Sequence, residues 1–285
     1  MLIVIVVTGA TGNVGRPLVQ ALAAAGEQVT AVSRGSRGDA AMPEGVRHRR
    51  ADLNDAESLR PVLDGADALF LHDGGGAAQA FSAAEVLDVA KAGGVGRVVL
   101  LSSIGVLTRP ESVSHGQVLR AREEAVRQSG LEWTILRPGG FDSNAYAWAE
   151  SVRTQRTVAA PFGDVGLPTV DPDDIAEVAA AVPGGKGHGG RAYELTGPAL
   201  STPRQNAEAI GAALGEPVRF VERTAEQARE QLLQFMPEAV AVTTLAVLGT
   251  PTAAELRISP DIELLLGRPA RPFAAWAERN IAAFR

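Results

Sequence analysis

A glycine turn close to the start of the chain limits its fold more than any other feature. Residues 2–7 form a short, wholly aliphatic run of the kind that makes a buried strand. It leads directly into Thr8-Gly9-Ala10-Thr11-Gly12-Asn13-Val14-Gly15, and a helical pattern over residues 13–25 follows, ended by Gly26. Glycines at G-x-x-G-x-x-G spacing let the backbone turn tightly and approach a ligand closely. The helix start behind them offers free N–H groups and the positive end of a dipole. Strand, glycine turn and helix in that order make a pyrophosphate cradle. The expected ligand is a dinucleotide, held by Gly9, Thr11, Gly12, Asn13, Val14 and Gly15.

The same alternation continues. Strands are expected at residues 28–33, 46–50, 67–71, 97–101 and 132–136. Helices are expected from Asp55, capped there by Asp55 or Asn54, and over residues 79–92 and 112–129. Strands separated by helices imply right-handed crossovers. The fold class is therefore α/β, a doubly wound, mostly parallel sheet of Rossmann type. Beyond residue 150 the pattern loosens into a helix starting near Asp171-Pro172-Asp173-Asp174, strands at 192–195 and 218–221, and further helices. The expected organisation is a dinucleotide-binding core over 1–150 and a smaller α/β lobe over 151–285, packed on the core on the substrate side.

Composition removes several alternatives. The chain has 285 residues, 46% of them hydrophobic, enough to bury a large core. Its net charge of −6 argues against a protein that grips phosphate backbones, and Arg47-His48-Arg49-Arg50 is too short a basic run to change that. No nucleic-acid partner is expected. Absence of cysteine excludes disulfides and thiolate chemistry. His48, His72, His115 and His188 show no ligand spacing, so no metal is expected. The glycine-rich stretch 184–190 lacks G-K-[ST] and reads as a surface connection, and no G-x-S-x-G elbow surrounds a serine. The uncharged stretch 239–254 is broken by Thr243, Thr244, Gly249 and Pro251, short of the roughly 20 apolar residues of a membrane span. Nothing at residues 2–7 resembles a secretory leader, and the expected location is the cytoplasm. Only Lys91 and Lys186 are lysines among 27 basic residues, a composition typical of GC-rich coding sequence that suits a specialised biosynthetic pathway.

The end of the second strand selects the dinucleotide. An NAD binder carries an acid there to accept from the ribose 2′-OH. Here the strand ends Ala31-Val32-Ser33-Arg34, with Arg37 close behind and no acid between Gln28 and Gly38. A guanidinium suits a 2′-phosphate, so NADP(H) is expected over NAD(H), with Ser33 and Arg34 in contact. Other contacts are expected at the strand ends: Asp52 and Leu53, then Leu71, His72 and Asp73, then Ser102 and Ser103, then Pro138, Gly139, Gly140 and Phe141.

Taken together, the T-G-A-T-G-N-V-G turn, Asp52-Leu53, Leu101 to Gly105, Ser129 to Phe141 with Asn144 beyond, and Gly267 to Trp276 resemble the short-chain dehydrogenase/reductases, specifically the atypical NmrA-like branch. The likeness covers essentially the whole chain. It implies NADP(H) binding and a substrate cleft between core and lobe. The branch holds quinone and azo-dye reductases, reductases of natural-product pathways, and catalytically silent redox-sensing regulators. Typical superfamily members place Tyr-x-x-x-Lys about a dozen residues after a serine, the tyrosine as general acid and the lysine lowering its pKa. Ser103 fits the serine, but His115 stands twelve residues on and Leu119 takes the lysine's place. Leucine supplies no charge and no donor. Losing positioned acid catalysis, worth roughly 10²–10⁴-fold, cripples reduction of an unactivated ketone more than that of an electron-poor acceptor. An unperturbed imidazole titrates near neutrality, which makes His115 the candidate proton donor. The expectation is an NADP(H)-dependent reductase of a planar, conjugated or quinone-like small molecule, with Ser103 and His115 catalytic and Asn144, Tyr146 and Trp148 against the substrate. The alternative is a non-catalytic NADP(H) sensor; an epimerase or dehydratase suffers more from the missing pair.

Overall fold

The structure, a computed structural model, describes residues 3–35, 42–72 and 81–285, and the side chains of Ser114 and His115 lie outside the description. Arg37 and Asp73 likewise lie outside the described residues.

Seven strands build one parallel sheet: β1 (Val4–Val7), β2 (Gln28–Ser33), β3 (Arg47–Arg50), β4 (Ala68–Leu71), β5 (Arg97–Leu101), β6 (Glu132–Pro138) and β8 (Arg191–Leu195), in the order β3-β2-β1-β4-β5-β6-β8. The central strands are continuous apolar runs because helices cover both faces. On one face α1 (Gly15–Ala24) and α7 (Pro172–Gly184) pack over Ile5, Val7, Val29, Ala31, Phe70 and Val99. On the other, α2 (Arg60–Leu63), α3 (Ala83–Ala92) and α5 (Val118–Gln128) close over Val6, Leu69, Leu71, Val98 and Leu100. The strand order reverses between β1 and β4, which leaves a crevice at the carboxyl edge where ligands bind in such sheets.

The expected strands are all present, with edges moved by one or two residues. Local chemistry explains the larger differences. No cap bond comes from the Asp55 side chain; the segment opens as a 3₁₀ turn, Ala56–Leu59, before α2. The helix expected over 112–129 starts as a π-helical turn, Val113–Gln117, where Gly116 lies against the Arg109 carbonyl oxygen, which a Cβ would meet at 2.2 Å. A short helix, α4 (Gly105–Thr108), precedes it.

The chain beyond residue 150 contributes β8 and α7 to the layers above and also builds a third cluster. There α6 (Ala149–Gln155), a two-stranded parallel ribbon of β7 (Thr157–Ala160) and β9 (Arg219–Glu222), α8 (Pro203–Leu214) and α12 (Phe273–Arg279) bury Val152, Val158, Ile210, Trp276 and Phe284. The remaining helices are α9 (Ala225–Leu232), α10 (Glu238–Gly249) and α11 (Asp261–Leu266). Among the described residues no helix is long and apolar enough to cross a membrane.

Candidate functional site

The glycine turn leaves β1 at the crevice. Thr8 is buried; its hydroxyl donates to the His72 carbonyl at 2.8 Å and accepts the His72 N–H at 2.8 Å, tying the ends of β1 and β4 together. Gly9 adopts φ +63°, and Gly12 N–H closes the turn on its carbonyl at 3.0 Å. A Cβ on Gly15 would stand 2.1 Å from the Gly9 oxygen, so only glycine lets α1 start this close beneath the turn. The first turn of α1 carries no acidic residue, and no side chain caps it. The positive helix end is therefore left for an anion from outside the chain. Thr11 and Asn13 are exposed, Val14 is buried, and Asn13 Nδ2 donates to Ser143 Oγ at 3.1 Å, joining the turn to the segment after β6. A dinucleotide's diphosphate fits this cradle in shape and charge.

The remaining expected contacts fall along the same edge. Ser33 ends β2, and Arg34 follows it, exposed. Asp52 and Leu53 follow β3 half-buried, and Asp52 Oδ1 accepts from Asn54 N and Nδ2, each at 3.0 Å. Leu71 is buried at the end of β4, with half-buried His72 beyond it. Pro138 is buried at the end of β6, Gly139 N–H donates to Leu195 O at 2.9 Å, and Phe141 pairs with Val170 in an isolated bridge.

The two serines after β5 behave differently. Ser102 is buried and donates to Glu123 Oε1 at 2.7 Å, which commits its hydroxyl to the protein interior. Ser103 is half-buried and accepts from Gly105 N–H at 3.1 Å. His115 lies in the π-helical turn, and Leu119 stands half-buried as the second residue of α5. Four residues further, Glu123 is completely buried. Arg137 holds it in a fork (Nε–Oε1 2.9 Å, Nη2–Oε2 2.6 Å) and Arg127 Nη2 adds a bond at 2.7 Å. Burial pushes Glu123 up, but the bonds from Arg137, Ser102 and Arg127 outweigh it and hold the carboxyl below its ordinary range. Sequence reading missed this network, whose only local sign is the i,i+4 spacing of Glu123 and Arg127. Glu123→Gln leaves Arg137 without its counter-charge and is expected to cost about 3–5 kcal/mol, read as a drop in Tm on the order of 10 °C; a drop within scatter of the wild type refutes the assignment.

Across the crevice, Arg109 Nε and Nη2 grip the buried Glu255, each at 2.8 Å, and Nη2 also donates to the Thr250 carbonyl at 3.1 Å. Ser112 Oγ and Thr243 Oγ1 stand 3.2 Å apart. These bonds seat α10 beside the π-helical turn. Asn144 is exposed after β6. Tyr146 stacks edge-on against Trp276 with centroids 5.0 Å apart and donates to Asn280 Oδ1, and Trp148 packs against the lobe cluster. Both rings thus contribute to lobe packing, and Tyr146, like Asn144, remains exposed.

Beside Asn144 lies a group that the sequence does not advertise. Asp142 is 2% exposed, and among the described residues neither carboxyl oxygen has a hydrogen-bond partner. Burial pushes it up to about 7; Asp171 and Asp174 add repulsion, while the positive charge of Arg279 offsets only part. Asp171 and Asp174 are themselves fully buried, the first paired with Arg279, the second with Arg268 and Arg271.

Comparison with known proteins agrees with this geometry. Residues 9–183 match the NAD(P)H-binding family. The chain is 36% identical to a (4-alkanoyl-5-oxo-2,5-dihydrofuran-3-yl)methyl phosphate reductase from Streptomyces griseus, covering 98% of this chain and 99% of that one. It is 33% identical to an NAD(P)H azoreductase from Xenophilus azovorans over 98% and 99%. The NADPH complex of quinone oxidoreductase QOR2 from Escherichia coli shares the fold with a TM-score of 0.77 at 24% identity, over 96% and 99%. The resemblance read from the motifs is thereby borne out at the level of an NAD(P)H-binding family. The chain belongs to the NAD(P)H-binding family and is an NAD(P)H-dependent oxidoreductase.

Proposed function

We propose that this oxidoreductase reduces a planar, conjugated or quinone-like small molecule, with NADP(H) preferred over NAD(H), and that it works in the cytoplasm within a biosynthetic pathway. The observation that carries the reading is an intact diphosphate cradle facing a catalytic edge without the usual charged pair. Leu119 is half-buried where a lysine belongs, and the nearest carboxylate on that helix face, Glu123, is fully committed to Arg137, Arg127 and Ser102. Relatives that reduce a conjugated lactone and azo compounds support an electron-poor acceptor.

The cradle of Gly9, Thr11, Gly12, Asn13, Val14 and Gly15 holds the diphosphate, Ser33 and Arg34 the adenosine ribose, and the backbone of Leu71, His72, Ser102, Pro138, Gly139 and Phe141 the nicotinamide half, with Asp52 and Leu53 near the adenine. When bound, the cofactor supplies the hydride. Ser103 donates to the developing oxyanion, Asn144 orients the acceptor, and Tyr146 and Trp148 shape the lobe wall behind it. His115, on the turn clamped by α10, returns the proton. An acceptor that tolerates late protonation needs no tyrosine–lysine pair.

NADPH consumption against a panel of quinones, azo dyes and enones tests this. Turnover is expected with at least one class and none with saturated ketones. Tight NADPH binding with no turnover on any of them would replace the reading by that of a cofactor sensor.

A further inference from the structure

The basic run Arg47-His48-Arg49-Arg50 is too short to hold nucleic acid, yet the fold gives all four residues to β3, the edge strand beside β2. Parallel register sets His48 opposite Ala31 and Arg50 opposite Ser33. Alternate residues of a strand share a face, and so do partners in register. Ser33, His48 and Arg50 therefore stand on one face, the one on which Val29 and Ala31 pack toward α1. This is the face that the glycine turn overhangs.

Hydrogen bonding sharpens the picture. Ser33 Oγ donates to Gly35 O at 3.1 Å and lies 2.8 Å from His48 Nε2. A hydroxyl has one hydrogen, so with it committed to Gly35 the imidazole Nε2–H is the donor to Ser33. The relay from His48 through Ser33 to Gly35 braces the turn that carries Arg34. Arg34 and Arg50 are both exposed, at the carboxyl ends of neighbouring strands, and the first acid after Arg50, Asp52, has its Oδ1 occupied by Asn54. Arg49 faces the other way and turns back to the His48 carbonyl at 3.1 Å.

We propose that β3 completes the nucleotide site: Arg50 supplies a second guanidinium beside Arg34 for a phosphate monoester on the ribose, and His48 positions the turn between them. This rests on the reading of residues 9–15 as the diphosphate cradle. A phosphate monoester carries close to two negative charges and three acceptor oxygens, and two guanidinium forks match it better than one. The assignment predicts discrimination between coenzymes that differ only in that phosphate.

The test is equilibrium binding of NADPH and NADH to the wild type and to Arg50→Ala, His48→Ala, His48→Gln and Arg49→Ala. Arg50→Ala is expected to weaken NADPH roughly 10- to 100-fold, the worth of a charge-assisted contact. NADH should stay within about twofold, the scatter of such comparisons. His48→Ala should lower NADPH affinity in the same selective way, and His48→Gln, which keeps a donor at a similar reach, should restore part of it. Arg49→Ala should change neither. Equal losses for both coenzymes, or none for either, in Arg50→Ala would overturn the proposal and leave the arginines as protection for an open sheet edge. Failure of the wild type to bind either coenzyme would instead refute the cradle.

Discussion

Gly15→Ala is expected to abolish coenzyme binding. The added Cβ would stand 2.1 Å from the Gly9 carbonyl oxygen and 2.8 Å from Ala10 Cα, and both are backbone atoms that cannot rotate away. Either the turn lifts or α1 retreats, and in both cases the N–H groups no longer converge on one anion. With charge-assisted bonds worth roughly 1.5–3 kcal/mol each, losing two costs on the order of 100-fold or more in affinity for NADPH and NADH alike. Gly26→Ala is the control. Gly26 has φ +82° but open space around it, so the change costs about 1 kcal/mol of stability and leaves affinity unchanged. Calorimetric titration of both variants, paired with thermal melts, separates the effects. A Gly15→Ala protein that folds and still binds NADPH like the wild type would refute the cradle.

Asp142→Asn is expected to stabilise the protein, by an amount that depends on pH. The folded carboxyl is pushed up to about 7, against an ordinary 3.8. Between those values the folded chain keeps a proton that the unfolded chain has released, so stability falls as pH rises through this window; above it both states are ionised and the cost is constant. The full penalty is at most about 4 kcal/mol, since each pH unit of that window contributes about 1.4 kcal/mol. Asparagine carries no charge at any pH and removes that slope. The Tm advantage of the variant should be near zero or negative at pH 4, grow toward neutrality to roughly 5–10 °C, and level off above about pH 7.5. Parallel Tm profiles for the two proteins across this range would show that Asp142 is not held neutral.

Much of this site was legible because its chemistry is local. The turn from Thr8 to Gly15 is contiguous, and its glycines answer to a steric requirement within eight residues. The strand ends follow from apolar runs interrupted by polar residues, which place Ser33, His72, Ser103 and Phe141 on one edge without knowledge of the fold. What was not legible depends on pairing over long separations. Nothing near Asp142 in sequence reveals that Asp171 and Asp174 will be buried beside it, and Arg109 meets Glu255 across 146 residues. Tyr146 and Trp148 read as pocket aromatics from their place after the sixth strand, and their packing against Trp276 and the lobe cluster depends on helices distant in sequence. The basic run at β3 looked like a weak surface patch because its register against β2 cannot be read from charge alone. A side chain's environment is set by its neighbours in space, and only some of those are neighbours in the chain.

The last strand of the main sheet has a consequence for how the polypeptide can be cut or made. Backbone groups of β6 from Thr134 to Pro138 are paired with Arg191 to Leu195. A fragment stopped near residue 150 would carry a naked strand edge with Ile135 and Leu136 at its centre, a template for association with other copies. During synthesis the same edge waits uncapped while some fifty further residues leave the ribosome, so this stretch is the natural place for a chaperone to hold the nascent chain.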